Sequence, residues 1–524
     1  MDYNKVITHK GYAIRKSYLT DSQKKLVEKY CIVEPKIDDR YKLKGELSFR
    51  IYRESPERYY LPREWGLNTF GEPDKILLSE GKDLSAEASQ FVGSPYDYQK
   101  DIINSYLTST RNGLICVPCG KGKTFMALNI ASQIKKKFLI VVDKEFLMNQ
   151  WKNEMNNVMP NLKIGILQAD KREVGSVSSQ RDFGLAELKE LAKKNGLKVS
   201  GSKTELIERF KNANIDTKST ETIDYDCTIC MIQSLCIQSF PENFFNDYGF
   251  TIFDECHHLG AQHFSKALFK IQTKKMLGLS ATPIRVDGLT KVFEMFLGKP
   301  IYWEKTREPD PTVIVKSVNI TCQDPDYLRI PYDYKKDVII ARLITYIVEC
   351  EERNREIVRW IEHLAVDDNR KILVLSARIS HLQAIDKLLD KNISRSYYIG
   401  GMKEEIRETG AAESKVLLAS YSMASEAMNI KSLNAVILAT PRSNVEQSTG
   451  RILRTRVSER VVQPLIIDIV DPHDPLRNQY RHRLSYYKKC KYTIENVKQG
   501  NNSGYVEDTT LTEADENGCL FADD

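Results

Sequence analysis

From residue 94 onward, short apolar runs alternate with longer segments whose apolar residues recur every three to four positions. The short runs cover 114–117, 138–143, 163–168, 228–232, 250–253 and 276–280. Such runs, separated by amphipathic helices, predict a parallel sheet covered by helices. A second strand–helix series begins near Lys371, with strands at 372–376, 397–399, 416–420, 435–439 and 465–470. Between the two series a helical pattern covers about 335–364. Residues 1–93 mix β-rich pieces such as 47–52 with helix-like ones such as 21–30. The acidic end, 504–524, predicts a frayed tail. The expected organisation is an N-terminal accessory domain over 1–93, a first α/β lobe over 94–310, a second over 335–500 and the tail over 504–524. The two halves are alike in architecture, not in sequence.

Composition adds limits. The 524 residues are 41% hydrophobic and 28% charged, which is ordinary for a globular protein. No run of about 18 apolar residues is present, so no membrane span is expected. Met1-Asp2-Tyr3-Asn4-Lys5 lacks the apolar core of a signal peptide. A net charge of +6 permits a polyanionic partner without demanding one. The 11 cysteines, an odd number, argue for reduced thiols in cytosol or nucleus. Cys116/Cys119 and Cys227/Cys230 are CxxC pairs, and a shared zinc site is the tempting reading. Separate thiols are favoured, because Cys119 falls in a phosphate loop and residues three apart on a strand face opposite sides.

That loop is Cys119-Gly120-Lys121-Gly122-Lys123-Thr124, between the strand at 114–117 and a helix at 125–134. Glycines let backbone N–H groups turn toward phosphates, and the helix N-terminus adds a favourable field. Lys123 would reach the β- and γ-phosphates, and Thr124 would bind Mg²⁺. Asp254-Glu255-Cys256-His257 follows the strand at 250–253. A carboxylate pair at a strand end can divide two tasks: Asp254 holds Mg²⁺, and Glu255 polarises the attacking water. His257 reads as a coupling residue, in preference to a metal site with His258 and His263. Ser280-Ala281-Thr282-Pro283 ends the next strand, where Ser280 and Thr282 can link the nucleotide site to the rest of the molecule. Gln99, after Tyr98, can pair with an adenine edge.

In the second half, Gln447-Ser448-Thr449-Gly450-Arg451-Ile452-Leu453-Arg454 reads QxxGRxxR. Arginines three apart share a helix face. Their planar forks suit a transition-state phosphoryl group, so Gln447, Arg451 and Arg454 are expected to complete catalysis when the lobes close around ATP.

These motifs resemble those of superfamily 2 helicases and translocases over residues 94–470. The wording VPCGKGKT and SATPIRVDG is closer to the XPB-like branch than to DEAD-box RNA helicases. Within that branch the chain is similar to the poxvirus-type late-transcription helicases of large cytoplasmic DNA viruses. Tyr60-Leu61-Pro62-Arg63, Ala439-Thr440-Pro441-Arg442 with Glu446-Gln447, and the segment 471–487 carry that likeness. The resemblance implies two tandem RecA-like parallel-sheet lobes, use of ATP and Mg²⁺, and movement on DNA, single-stranded or duplex. It also implies a monomer acting with RNA polymerase and transcription factors, in the host cytoplasm (viral factory) or virion, or in the nucleus if not viral. Two departures stand out. Val117 occupies a loop position where the full phosphate-loop pattern has Gly. Glu426-Ala427-Met428-Asn429-Ile430 stands where the fifth motif usually ends Gly-x-Asp, which weakens the coupling contact assigned to Asn429.

Residues 183–215 interrupt the first lobe between the strands at 163–168 and 228–232. Leu185, Leu188 and Leu191 are helix-spaced, and Asn195-Gly196 stops that helix. Gly201-Ser202-Lys203-Thr204 then supplies a turn and N-cap before Leu206, Ile207 and Phe210. The insert resembles a SAP motif, a two-helix DNA-binding module. Lys198, Lys203, Arg209 and Lys211 are its expected phosphate contacts. A purely structural hairpin is the plainer alternative. The whole-chain alternatives are a repair or branch-migration helicase and a non-catalytic DNA scaffold built around this insert.

Overall fold

The computed structural model describes residues 3–36, 48–118, 120–213, 215, 218–285, 287–305, 309–426, 428, 430–453, 455 and 457–500. Arg454, Asn429, Ala427, Cys119 and the acidic segment 504–524 lie outside the described residues. The chain divides into two compact units, residues 1–116 with 123–303, and residues 117–122 with 304–524.

The first unit is built on an eight-stranded sheet. Its order is Lys171–Arg172, Ile164–Gln168, Cys227–Met231, Phe138–Val142, Phe250–Phe253, Lys275–Ser280, Gly113–Cys116 and Pro300–Trp303. All neighbours pair in parallel except the short Lys171–Arg172 edge. The central strands Phe138–Val142 and Phe250–Phe253 are buried at every residue, as strands covered on both faces must be. The helix Glu145–Val158 buries Leu147, Met148, Trp151, Met155 and Val158, a stripe at helical spacing.

The N-terminal residues are not a separate body. Their sheet, ordered Arg53–Glu54, Arg58–Leu61, Gly11–Arg15, Lys5–Thr8 and Lys75–Ile76, packs into one core with the first lobe. Ile7, Tyr12 and Leu67 share that core with Leu139, Phe253 and Phe296. Arg63, within the Tyr60–Arg63 segment singled out above, is buried and donates to the carbonyls of Thr273 and Lys274 at 2.9 and 3.0 Å.

The insert leaves the first lobe on a two-stranded antiparallel stalk, Ser176–Asp182 against Lys218–Asp224. It carries the helices Leu185–Lys194 and Lys203–Asn212. Leu188, Ala192, Leu206 and Phe210 form a small core of their own, flanked by Phe183, Leu191, Leu197, Ile207 and Ile215. Ser202 caps the second helix: its hydroxyl accepts from Glu205 N–H while the Glu205 carboxylate accepts from Ser202 N–H.

The second unit has seven parallel strands in the order Arg395–Tyr398, Val416–Ser420, Ile372–Ser376, Ala435–Leu438, Leu465–Val470, Ile314–Asn319 and Thr493–Lys498. Two parallel-sheet α/β lobes, each layered with helices, thus make the fold. Ile314–Asn319 corrects the expected limits of 310 and 335, since it is hydrogen-bonded into the second sheet. The helical stretch at 335–364 is two helices, Ile340–Glu349 and Glu351–Ala365, separated where Cys350 takes ψ 112°. The expected helix through 447–454 is also shorter. An α-turn, Glu446–Thr449, passes into a 3₁₀ turn, Gly450–Leu453.

Candidate functional site

The strand Gly113–Cys116 leads into the glycine loop, and the loop leads into the helix Lys123–Ile134. Gly120 and Gly122 have φ of 89° and 80°, a region closed to most side chains. The two glycines therefore set a curled backbone, with Lys123 and Thr124 opening the helix behind it. Lys121 is turned to an ion pair, its Nζ 3.3 Å from Glu304 Oε1.

Asp254 and Glu255 stand just past Phe250–Phe253, at the carboxyl end of a central strand. Asp254 is fixed at both oxygens. Trp151 Nε1 donates to Oδ2 at 2.8 Å, and the Glu255 N–H donates to Oδ1 at 3.0 Å. Glu255 has φ 40° and ψ 50°, left-handed values for a residue with a side chain. Strain of this kind costs on the order of 1–3 kcal/mol and recurs at functional sites. Its Oε1 lies 3.9 Å from Lys123 Nζ, and its Oε2 lies 3.3 Å from His257 Nδ1.

The pair has split proton affinities. Burial and the neighbouring Glu255 charge push Asp254 up to about 6. Burial also pushes Glu255 upward, but Lys123 and His257 outweigh it and draw the carboxyl down to about 2. Glu255 is thus held ionised beside a lysine. Behind it, His258 Nε2 is 3.7 Å from Asp143 Oδ2, and burial followed by the His257 charge lowers its imidazole.

His257 Nδ1 also lies 3.1 Å from Ser280 Oγ, which accepts from Thr282 N–H at 3.2 Å. His257, Ser280 and Thr282 therefore meet. Sequence reasoning missed two neighbours. Trp151 reads as one more core position on an amphipathic helix, and nothing local tells which carboxylate its N–H meets. Arg285 donates from Nη1 to the His257 carbonyl at 2.6 Å and is held by Asp287, with Nε at 2.9 Å from Oδ1. Both lie in the SATPIRVDG segment, whose wording gives their order but not what they hold.

Gln99 is buried on the helix Asp97–Leu107, and its Oε1 accepts from Tyr96 N–H at 3.0 Å. The amide oxygen expected to face a base therefore also caps its own helix.

In the second unit, Gln447 sits half-buried on Glu446–Thr449. Arg451 is buried at 6% exposure, and its Nη1 donates to Met428 O at 2.9 Å. Arg483, in the segment 471–487, is buried with Asp468, Nε to Oδ2 at 2.9 Å, and donates to the Arg442 carbonyl at 2.8 Å. That ties two of the resembling segments together as framework.

On the insert, Lys198, Lys203 and Lys211 are exposed. Arg209 differs from expectation. Its Nη1 donates to the carbonyls of Lys198 and Ser200 at 2.8 and 2.6 Å, so it clasps the loop between the two helices.

The oxygen donors fit a hard cation with nucleotide phosphates. Asp254 and Thr124 offer a carboxylate and a hydroxyl, and Glu255 Oε2 is buried with the His257 ring nitrogen beside it at 3.3 Å.

A family model described as "Type III restriction enzyme, res subunit" matches residues 93–285. "Putative ATP-dependent RNA helicase L396" of Acanthamoeba polyphaga mimivirus is 30% identical over 93% of this chain and 86% of its own length. "Putative ATP-dependent RNA helicase QP509L" of African swine fever virus is 24% identical over 76% of this chain and 73% of its own. "Putative helicase 161L" of Invertebrate iridescent virus 6 is 24% identical over 74% and 79%. With the phosphate loop, the DECH box and two parallel-sheet lobes in one chain, the protein belongs to the superfamily 2 helicase ATPases of large DNA viruses.

Proposed function

We propose that this chain is a DNA translocase that hydrolyses Mg·ATP and serves viral transcription, in transcript release, or genome processing. Lys123 binds the β- and γ-phosphates, with Gly120, Lys121 and Gly122 along the loop and Gln99 at the base. Thr124 and Asp254 hold Mg²⁺, which would offset phosphate charge. Glu255 takes the proton of the attacking water. Lys123 lies 3.9 Å from Glu255. A γ-phosphate competes for that lysine, so Glu255 loses a cation and its basicity rises as ATP binds. His257, Ser280, Thr282 and Asn429 couple the site to movement. Arg451 and Arg454 add charge at the γ-phosphate during turnover, and Gln447 adds a neutral amide donor.

The observation that carries DNA as the track is the insert. It is a helical pair with its own core, raised on a stalk, with Lys198, Lys203 and Lys211 exposed. Its SAP-like pattern supports duplex DNA over RNA. The likeness to viral late-transcription helicases supports work beside RNA polymerase and transcription factors, in a cytoplasmic viral factory or the virion. A second reading, an RNA-directed motor, is favoured by the names of the mimivirus and African swine fever virus relatives. ATPase measured side by side with single-stranded DNA, duplex DNA and RNA separates them. The DNA reading expects the larger stimulation with DNA; stimulation by RNA alone overturns it.

A further inference from the structure

In the second unit a tight hairpin joins the helices Pro325–Leu328 and Ile340–Glu349. Tyr332 and Val338 face each other in an antiparallel bridge. Asp333 N–H donates to Asp337 O, and Ile339 N–H to Pro331 O, both at 2.8 Å. The Asp333 carboxylate is turned inward: its Oδ1 accepts from the N–H groups of Lys335 and Asp337 at 2.8 and 2.9 Å. Lys336 closes the turn with N–H to Asp333 O at 3.1 Å and a φ of 65°. A lysine held in the left-handed region marks a turn fixed by its surroundings rather than a slack loop.

This turn holds Tyr334 at its tip, 89% exposed, with Tyr332 at 55% behind it. Lys335 and Lys336 are exposed beside it, and Lys335 Nζ sits 5.6 Å from the Tyr334 ring. The phenol packs in no core. The Asp333 carboxylate is held by backbone N–H groups and Asp337 is half-buried, so the exposed side chains at 334–336 are an aromatic ring and two cations, with the two carboxylates at their base. Every nucleobase has a π-face for such a ring, and every linkage has a phosphate for such a lysine.

We propose that this hairpin is a stacking finger for an unpaired base of a single-stranded nucleic acid. Tyr334 lies against the base, and Lys335 and Lys336 meet the flanking phosphates. The proposal rests on the reading of this chain as a nucleic-acid motor. The turn fixes the backbone that carries the ring, so ordering of the loop adds little to the cost of the contact.

The test uses the full-length protein with oligo(dT) and oligo(U), read by fluorescence anisotropy. Tyr334→Ala should weaken binding about five- to a hundredfold, while Tyr334→Phe, which keeps the ring, should stay within about twofold. Basal ATPase without nucleic acid should be equal in all three. Lys335→Gln with Lys336→Gln should lower the slope of log affinity against log salt by about 1.4. A 2-aminopurine base in the oligonucleotide should be quenched by the parent and by Tyr334→Phe, and much less by Tyr334→Ala. If Tyr334→Ala binds as the parent does while both oligonucleotides still stimulate ATPase, the finger is wrong and the motor reading stands. If neither oligonucleotide binds the parent or stimulates it, the finger is wrong, and duplex DNA in the same assay decides the motor reading: stimulation by duplex keeps it, and none overturns it as well.

Discussion

The Trp151 indole N–H donates to Asp254 Oδ2 at 2.8 Å, and the Glu255 N–H holds the other oxygen of the same carboxylate at 3.0 Å. Trp151 is 1% exposed, so this donor competes with little water. The carboxylate proposed to hold Mg²⁺ is thereby aimed from behind by a residue outside the box itself. Trp151→Phe keeps the aromatic packing and removes only the donor. A hydrogen bond to a charged group contributes about 1.5–3 kcal/mol, roughly ten- to a hundredfold in an equilibrium. The half-saturating Mg²⁺ concentration for ATPase should rise by about that factor, with turnover largely regained at excess Mg²⁺. A Mg²⁺ curve superimposable on the parent's would show that the indole only packs.

Glu255 and Lys123 make a second prediction, because they neutralise each other across 3.9 Å. Glu255→Gln keeps the shape and removes the base. It should retain ATP binding and lose turnover by at least about a hundredfold. Lys123→Ala leaves phosphate charge unpaired and should lose nucleotide affinity as well as turnover. Equilibrium binding of a fluorescent ATP analogue, beside steady-state ATPase, distinguishes the two phenotypes. Turnover by Glu255→Gln comparable to the parent's would remove its role as the base.

The strands that read most clearly in the sequence are those whose burial is continuous. The runs at 250–253, 372–376, 416–420 and 465–470 are found at the same bounds, because apolar residues on both faces leave little ambiguity. Ile314–Asn319 was missed for the opposite reason. Its sheet partners are Leu465–Val470 and Thr493–Lys498, far along the chain, and no local strand–helix rhythm announces it. The glycine loop was legible because φ of 89° and 80° needs glycine. Arg209 was not, because a basic residue on a helix reads as solvent-facing until the loop it clasps is folded. Gln99 reads as a base contact in the sequence, and its second task, the capping bond from Tyr96 N–H, shows only in the fold.

Arg451 combines a proposed chemical role with a framework one. Its guanidinium is buried and donates to Met428 O at 2.9 Å, in the segment where Ala427 and Asn429 replace the usual glycine and acid. Arg451→Ala should slow hydrolysis by about a thousandfold or more while nucleic-acid binding persists. It should also leave a buried carbonyl unpaired, at a cost of about 1–3 kcal/mol, and so lower Tm by several degrees. Arg451→Lys keeps charge without the fork and should recover stability better than turnover. Calorimetry and ATPase on the same samples check this. Equal recovery of both would reduce Arg451 to a structural residue.

The insert tests the division between motor and tether. Its helices share the four-residue core Leu188, Ala192, Leu206 and Phe210, and the stalk Ser176–Asp182 with Lys218–Asp224 carries it as a separate two-stranded sheet. Replacing 183–215 with a short Gly/Ser turn keeps that stalk and every residue proposed to touch ATP. Loop-closure cost changes only slowly with length, so the rest of the lobe should tolerate the exchange. The DNA concentration for half-maximal ATPase should rise, and the maximal rate at saturating DNA should change little. Lys198→Gln, Lys203→Gln and Lys211→Gln together should do the same more mildly and flatten the salt dependence of binding. Arg209→Ala should act differently. It frees the carbonyls of Lys198 and Ser200 and loosens the turn between the helices, so limited proteolysis within the insert should speed up along with the loss of affinity. DNA affinity unchanged after the deletion, at low and moderate salt alike, would end the tether idea. Loss of maximal ATPase in a folded deletion protein would instead make the insert part of the motor.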